Sequence, residues 1–202
     1  MKAEQSISEH FFIEERHCAR VLHLISADGT NRLTRARVFA LTHAVEDFAR
    51  HPKPLIITGN HHFFSAGADL NEITLLAGPE ALEFAKMGQA LMRVVDEFPA
   101  PVIAAVWGYC MGGGLDLALA CDIRIAHPHA VFGHRGAALG LITGWGGTQR
   151  LPRLVGRSRA TEMFVAAEKL TAARALDYGL VQAIAANPLT AALDRIGQLP
   201  KS

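Results

Sequence analysis

The segment from Val102 to Asp122 constrains the fold of this chain most strongly, because an apolar run, three consecutive glycines and a helical pattern follow one another there. The run VIAAV (Val102–Val106) is typical of a strand buried on both faces in a parallel sheet. Each of Gly112, Gly113 and Gly114 would lower the stability of a helix interior by about 0.5–1 kcal/mol relative to alanine. The presence of three glycines at the start of a helix therefore needs a physical explanation. Either the helix packs closely against the sheet, or the backbone there approaches a ligand.

Strands and helices alternate along the rest of the chain. The predicted elements, in chain order, are a strand pair within residues 11–26, a helix Thr34–Arg50, a strand LIITG, a helix Glu80–Phe98, the strand Val102–Val106, short strands IRIA and AVFGH, a mostly helical region from Gly146, and an ambiguous apolar segment Leu180–Ile184. This order predicts an α/β fold with repeated βαβ units. We predict one domain over residues 1–202, with an α/β core in 1–145 and a mostly helical part in 146–202.

Composition and charge exclude several classes of protein. The chain has 20 basic and 19 acidic residues and a formal charge of +1, which does not match the basic surface of a nucleic-acid-binding protein. No apolar run approaches the length of about 18 residues that a membrane-spanning helix needs. The polar start Met1–His10 predicts no signal peptide, and three cysteines fit reduced thiols in a cytoplasmic protein.

Two loops of small residues follow two of the predicted strands. After LIITG the chain reads SAGAD, from Ser65 to Asp69, and after VIAAV it reaches the triple glycine. The first residues of a helix expose backbone N–H groups and carry about half a positive charge, so two such loops at neighbouring strand ends could direct two donors at one carbonyl oxygen. That arrangement is an oxyanion hole. Close packing remains an alternative, and a phosphate loop is disfavoured because GGGLD lacks the Gly-Lys-Ser/Thr ending.

Three motifs in the same order resemble the crotonase superfamily, the enoyl-CoA hydratases and isomerases. They are SAGADL (65–70), PVIAAVWGYCMGGGLDLALACDIRIA (101–126) and GLITGWGGTQRLPRLVGRSRA (140–160), and the resemblance runs from about Asn31 to Ala185. It implies a crotonase-like α/β fold of repeated ββα units with a helical C-terminal part that is shortened. It also implies an acyl-CoA thioester as substrate in fatty acid metabolism, no separate cofactor, and a homo-oligomer, either trimer or hexamer.

The resemblance also implies roles for individual residues. The backbone N–H groups of Ala68 and Gly113 would bind the thioester oxygen. The residues expected to contact the substrate are Arg32, Phe64, Ser65, Ala66, Asp69, Gly112, Gly136 and Trp145. Arg32 would approach the CoA phosphates, and Trp145 either narrows the acyl pocket or fills the core.

Asp116 is the candidate acid or base, because it follows Gly113 by one helical turn and so lies on the same face. Related hydratases carry a glutamate there and a second one at the position of Gly136. We therefore expect this chain to hydrate crotonyl-CoA slowly. Replacement of Gly136 by glutamate would raise the rate of hydration if the fold has room for the side chain. Gly144 replaces the further aspartate of dienoyl-CoA isomerases. His134, beside Arg135, is a second catalytic candidate.

Three readings of the reaction stay open. The chain is a hydratase/isomerase-type enzyme, an isomerase or decarboxylase that uses little acid–base help, or an acyl-CoA-binding protein without catalysis.

His61 and His62 precede the first loop, where related decarboxylases and dehalogenases sometimes use a histidine. They lack a third partner at metal-ligand spacing, and His127 and His129 flank a proline, so we expect no metal site.

Overall fold

The computed structural model describes the backbone of residues 5–198 and the side chains of residues 8–198. Residues 1–4, at the start of the segment expected to lack a signal peptide, lie outside the described residues, as do residues 199–202 at the end of the predicted domain. No helix among residues 5–198 is long and apolar enough to cross a membrane.

The larger sheet of the described chain has seven strands in the order β1-β2-β3-β4-β6-β8-β11. These strands are Gln5–Ile7, Phe11–Glu15, Arg20–Leu24, Leu55–Thr58, Val102–Val106, Ile123–Ala126 and Ala183–Ile184. The strands from β3 to β11 are parallel, whereas β1 and β2 are antiparallel to their neighbours. The predicted early strand pair and the buried strands LIITG, VIAAV and IRIA are confirmed, and the ambiguous apolar segment contains β11.

A second, four-stranded sheet has the order β10-β9-β7-β5. Its strands, in chain order, are β5 (Phe63–Ser65), β7 (Tyr109–Met111), β9 (Val131–Gly133) and β10 (Leu170–Thr171). Of these strands, β9 was predicted from the sequence, within the apolar run AVFGH. The other three were not, because their two or three residues lie beside loops and show no periodicity. With them, β4-β5, β6-β7 and β8-β9 each precede helices, so the repeated unit is ββα, as the resemblance implied, and not the βαβ unit predicted from the order of the longer elements.

Eight α-helices lie in the described chain. They are α1 (Arg35–Phe48), α2 (Leu70–Thr74), α3 (Pro79–Asp96), α4 (Gly113–Ala120), α5 (Gly147–Val155), α6 (Arg157–Val165), α7 (Ala172–Asp177) and α8 (Pro188–Gly197), with a 3-10 turn at Gly136–Leu139. The helices predicted at Thr34–Arg50 and Glu80–Phe98 are confirmed as α1 and α3. The side chain of Thr34 begins α1 by accepting a hydrogen bond from the N–H of Arg37.

Helices cover both faces of the larger sheet, which explains its continuous apolar strands. Ile103 of β6 packs in a cluster with Ala192 and Ile196 of α8. The next residue along the strand, Ala104, points to the opposite face and joins the core with α1, α3 and α4. Helix α4 is buried along its whole length, so its first turn is held rigidly at the end of the strands.

Arg124 connects α4 to the C-terminal part of the chain, and its replacement by methionine is expected to destabilise the protein. The buried guanidinium donates hydrogen bonds to the carbonyl oxygens of Leu180 (2.7 Å) and Cys121 (2.5 Å) and to Oε1 of Gln182 (3.1 Å). Methionine keeps the length of the side chain but leaves buried acceptors unsatisfied, which costs about 1–3 kcal/mol for each group.

Chemical denaturation would measure that loss of unfolding free energy. The same change at Arg195, exposed at the end of α8, is the control and is expected to stay within about 0.5 kcal/mol. Equal stability of the Arg124→Met and Arg195→Met proteins would contradict the assignment of Arg124 as a structural connector.

Candidate active site

A cavity of about 510 Å³ lies where the loops after β5 and β7 meet the first turn of α4. Helices α2 and α3 form one wall, and the segment from His134 to Trp145 forms the opposite wall. Its lining is mostly apolar and includes Leu70, Ile73, Leu76, Phe84, Met111, Leu139, Leu141, Ile142 and Phe164. The polar side chains that reach it are few, which is the usual composition of a site for a small apolar ligand.

The loop after β5 is held by the segment that precedes α1. Asn31 is fully buried, and its Nδ2 donates hydrogen bonds to the carbonyl oxygens of Phe63 (3.1 Å) and Phe64 (3.2 Å). The hydroxyl of Ser65 donates in return to the carbonyl oxygen of Asn31 (2.7 Å). The N–H of Ala66 donates to the carbonyl oxygen of Thr30 (2.9 Å). These bonds fix the backbone from which Ala68 follows.

The three glycines at the start of α4 each have a separate physical reason. Gly112 has φ +50°, a conformation that residues with a Cβ rarely adopt. A Cβ on Gly113 would lie 2.5 Å from Cζ3 of Trp145 and 3.2 Å from the backbone nitrogen of Ala68. A Cβ on Gly114 would lie 2.6 Å from Cβ of Ser65. The glycines therefore allow α4, Trp145 and the loop after β5 to approach closely.

Two backbone N–H groups border the cavity at this point of contact. Ala68 and Gly113 both line it, and a Cβ on Gly113 would lie 3.2 Å from the nitrogen of Ala68. Among the turn, loop and cap hydrogen bonds of residues 5–198, none is donated by the backbone N–H of Ala68 or of Gly113. Both donors thus remain available on the wall of an apolar cavity.

Asp116 and His134 form a buried polar pair beside these donors. Their side chains are 1% and 5% exposed, and Asp116 Oδ1 lies 3.3 Å from His134 Nε2. The two atoms are close enough for an ion pair but are not aligned for a hydrogen bond, so neither has a hydrogen-bond partner among the described residues. The hydroxyl of Thr143 donates a hydrogen bond to Asp116 Oδ2. The pair therefore brings two buried polar atoms without hydrogen-bond partners to the lining of the cavity, to which both residues belong.

Burial shifts both groups toward their neutral forms. It raises the pKa of Asp116 from 3.8 to about 7, and the hydrogen bond from Thr143 and the charge of Arg150 oppose this only in part. It lowers the pKa of His134 from 6.5 to about 4. At neutral pH the imidazole is uncharged, and the carboxyl group is close to half ionisation.

The structure brings eight of the predicted site residues together and separates the other four from the cavity. The eight that line it are Ala66, Ala68, Gly112, Gly113, Asp116, His134, Gly136 and Trp145. Phe64 and Ser65 are fully buried, and their roles are in the core and in the hydrogen bond to Asn31. Asp69 is the N-cap of α2, and Arg32 pairs with Asp28 (2.7 Å) on the surface. These four residues are not among those that line the cavity, and their contact with a bound substrate stays a prediction.

Sequence reasoning did not single out Thr143, because one threonine in a glycine-rich loop carries no periodic or motif signal. His61, near the first loop, lies away from the cavity lining: it packs edge-on against Trp107, and His127 stacks on the same indole, each at a ring distance of 4.5 Å. In the part of the chain that the structure describes, no group of three or more His, Cys, Asp or Glu side chains is placed to hold a metal ion.

Comparison with known proteins shows that the chain is similar to enoyl-CoA hydratases and isomerases. The family model described as enoyl-CoA hydratase/isomerase matches residues 20–197. The crotonyl-CoA hydratase of Syntrophomonas wolfei is 38% identical over 179 residues, covering 87% of this chain and 69% of that protein. A Bacillus subtilis protein named "Probable enoyl-CoA hydratase" is 48% identical over 130 residues, 64% of this chain and 50% of that protein, so the matched part spans only half of this relative.

Solved structures show the same fold at high similarity. Pseudomonas aeruginosa DspI superposes with a TM-score of 0.90 at 34% identity, covering 96% of this chain and 75% of that chain. The enoyl-CoA hydratase from Bacillus anthracis superposes with a TM-score of 0.88 at 31% identity, covering 94% and 76%.

Proposed function

The chain belongs to the enoyl-CoA hydratase/isomerase family, and from that premise we propose that its cavity binds an acyl-CoA thioester and stabilises the enolate of that thioester. One observation carries the proposal: two backbone N–H groups without a backbone acceptor stand on an apolar wall beside a buried carboxyl group. The substrate is recognised as a thioester, and no cofactor other than the CoA portion of the substrate takes part.

The N–H groups of Ala68 and Gly113 form the proposed oxyanion hole. When a proton leaves the carbon next to the thioester carbonyl, negative charge moves to the carbonyl oxygen. Two donors that are already fixed by the surrounding backbone stabilise that charge without reorganisation during the reaction. Gly113 also begins α4, whose partial positive charge adds to the same effect.

Asp116 is the proposed proton carrier. A group whose pKa lies near the working pH serves as base and as acid with similar ease, and the pKa of Asp116 is about 7. Its carboxylate takes a proton from the α carbon, and the resulting carboxylic acid returns a proton to the substrate. His134, neutral and 3.3 Å away, is the second candidate for contact with the reacting atoms, and Thr143 holds the carboxyl group in place.

Hydration and double-bond isomerisation of an enoyl thioester both pass through an enolate that these donors would stabilise. One observation favours isomerisation as the second candidate function. Because residue 136 is a glycine, it supplies no carboxyl group to the cavity. Among the described residues, Asp116 is the one acidic residue that lines the cavity. Isomerisation moves one proton from the α to the γ carbon through the enolate, so a single carrier suffices. Hydration reaches an enolate by another route: the hydroxyl of water adds at the β carbon while the proton of that water passes to a base, and the enolate then takes a proton at the α carbon. This reaction benefits from a second group that holds the water, a task that falls to His134.

Incubation with a panel of acyl-CoA thioesters, followed by mass analysis, tests the proposal. Hydration adds the mass of one water, decarboxylation removes carbon dioxide, and isomerisation leaves the mass unchanged but moves the double bond. Binding of thioesters without any product would identify a non-catalytic acyl-CoA-binding protein. Equal affinity for an acyl-CoA and its free acid would contradict the whole assignment.

Replacement of Gly136 by glutamate is expected to slow crotonyl-CoA hydration rather than restore a faster hydratase. A Cβ at this position would lie 2.6 Å from the carbonyl oxygen of Leu141, which belongs to the backbone and cannot move aside cheaply. Spectrophotometric loss of the enoyl group measures the rate. Gly136→Ala adds only the Cβ and is the matched variant, expected to show much of the same impairment. A Gly136→Glu protein faster than the parent would contradict this expectation.

We also propose that the protein is cytoplasmic and acts as a homo-oligomer, a trimer or hexamer, in fatty acid metabolism. Its three free thiols, two of them buried, and its family membership support a reducing compartment. Analytical ultracentrifugation would measure the oligomeric state, and a monomer at micromolar concentration would contradict it.

A further inference from the structure

Trp145 lines the cavity and occupies a defined slot between α3 and α4. Its side chain is buried, with 2% of the residue exposed, and its Nε1–H donates a hydrogen bond to the carbonyl oxygen of Phe84 (3.2 Å). The indole also packs against the ring of Phe84, with centroids 5.2 Å apart. A polar anchor at one edge and aromatic packing hold the ring in a single orientation.

Two glycines on different helices make room for the two ends of this indole. A Cβ on Gly88, in the middle of α3, would lie 2.1–2.2 Å from Nε1, Cδ1 and Cε2 of the five-membered ring. A Cβ on Gly113, the first residue of α4, would lie 2.5–2.6 Å from Cζ3 and Cε3 of the six-membered ring. The indole therefore spans the gap between α3 and α4 and rests on bare backbone at both ends.

This position blocks one path for an acyl chain. The proposed oxyanion donor of Gly113 lies next to the six-membered ring, so a thioester carbonyl bound there has the indole beside its first carbon atoms. A chain that continues from the carbonyl toward the gap between α3 and α4 meets the ring. Resting on the proposed function, we propose that Trp145 is a specificity-determining residue that closes the inner end of the acyl cavity and selects thioesters with short acyl chains.

Replacement of Trp145 by alanine tests this proposal through the chain-length profile. We would measure kcat/KM for crotonyl-, octenoyl- and hexadecenoyl-CoA, or for the matching thioesters of the isomerisation reaction. The parent is expected to prefer the shortest. Because one extra methylene in an apolar pocket is worth about 10-fold or more, Trp145→Ala is expected to raise the ratio of long-chain to short-chain kcat/KM by at least about 10-fold.

Two further variants make the test independent of folding defects in Trp145→Ala. Trp145→Leu keeps an apolar side chain in the slot and is expected to shift the profile in the same direction by a smaller factor. Gly88→Leu in the Trp145→Ala background directs a new side chain from α3 into the vacated space and is expected to restore the preference for short chains. Trp107→Ala, at the other tryptophan of the chain and away from the cavity lining, is the matched control and is expected to keep the parental profile.

The outcomes separate this inference from the proposed function. A parent that turns over acyl-CoA thioesters and prefers long chains overturns the role of Trp145, and so does an unchanged profile in both Trp145 variants. A shifted profile that Gly88→Leu reverses supports closure of the cavity by the indole. Absence of both binding and turnover for every thioester overturns the proposed function itself.

Discussion

Replacement of Asp116 by asparagine is expected to lower kcat/KM for the acyl-CoA substrate by about 10²–10⁴-fold, the usual contribution of a positioned acid or base. Asparagine has nearly the same shape and can still accept the hydrogen bond from Thr143, so the buried site keeps its packing. The amide neither gains nor loses a proton at accessible pH, and only proton transfer is removed. Steady-state rates measure the effect, and turnover within a few-fold of the parent would contradict the role of Asp116.

The pH dependence of the parent provides a second readout of the same group. If the Asp116 carboxylate takes the proton, kcat/KM of the parent is expected to rise with pH until about 7, the pKa of the group, and then to level off. The Asp116→Asn protein is expected to lack this limb. A parental profile that is flat across this range would contradict Asp116 as the titrating base.

Stability should respond to pH with a defined sign. The pKa of Asp116 is raised in the folded protein, so its contribution to stability is greatest at low pH and is lost as pH rises from about 4 to about 7. The pKa of His134 is lowered, so its contribution is present above 6.5 and is lost as pH falls toward about 4. Between these limits the two slopes nearly cancel, because folding moves one proton from imidazole to carboxyl.

Asp116→Asn removes one of the two opposing slopes. The stability of the variant is expected to rise from about pH 4 to pH 6.5, while these two groups leave that of the parent nearly flat. The difference in thermal midpoint between variant and parent should therefore grow with pH. Parallel stability curves for the two proteins would contradict the assignment of the proton to Asp116.

Removal of the Gly113 N–H is expected to cost a further large factor in rate. Proline deletes this donor, and the loss of one fixed donor is worth about 2.7–4 kcal/mol in the transition state, or 10²–10³ in kcat. Any Cβ at this position would collide with Trp145, 2.5 Å away, so a single substitution would mix two effects. The clean comparison is Gly113→Pro against Gly113→Ala, both in the Trp145→Ala background.

The two double variants share the added Cβ, its approach to Ala68 and the missing indole, and differ chiefly in the N–H group. Proline is tolerated at the first position of a helix, which Gly113 occupies, and circular dichroism would verify folding. Equal kcat/KM for the folded pair would contradict the oxyanion role, and the glycine would then serve packing alone.

Local sequence patterns were sufficient for the elements that bury continuous or periodic apolar surface. VIAAV and LIITG follow from continuous apolar runs, and the helices α1 and α3 follow from periodicity, because each helix is long enough to repeat its burial pattern several times. The glycine and small-residue loops after two strands likewise indicated two backbone donors, the resemblance assigned these donors to Ala68 and Gly113, and helical spacing placed Asp116 near Gly113. These inferences depend on residues that are neighbours along the chain.

The tertiary structure alone decided what these residues touch. Trp145 contacts two glycines, Gly88 and Gly113, which lie on two helices that are distant from it in sequence. The hydrogen bond between Thr143 and Asp116 likewise joins a loop to a helix far away along the chain. The short strand β5 escapes periodicity because three residues repeat nothing. Burial also sets where the proton of Asp116 resides, since the desolvation that raises its pKa comes from the packing of separate elements and not from neighbours in the sequence.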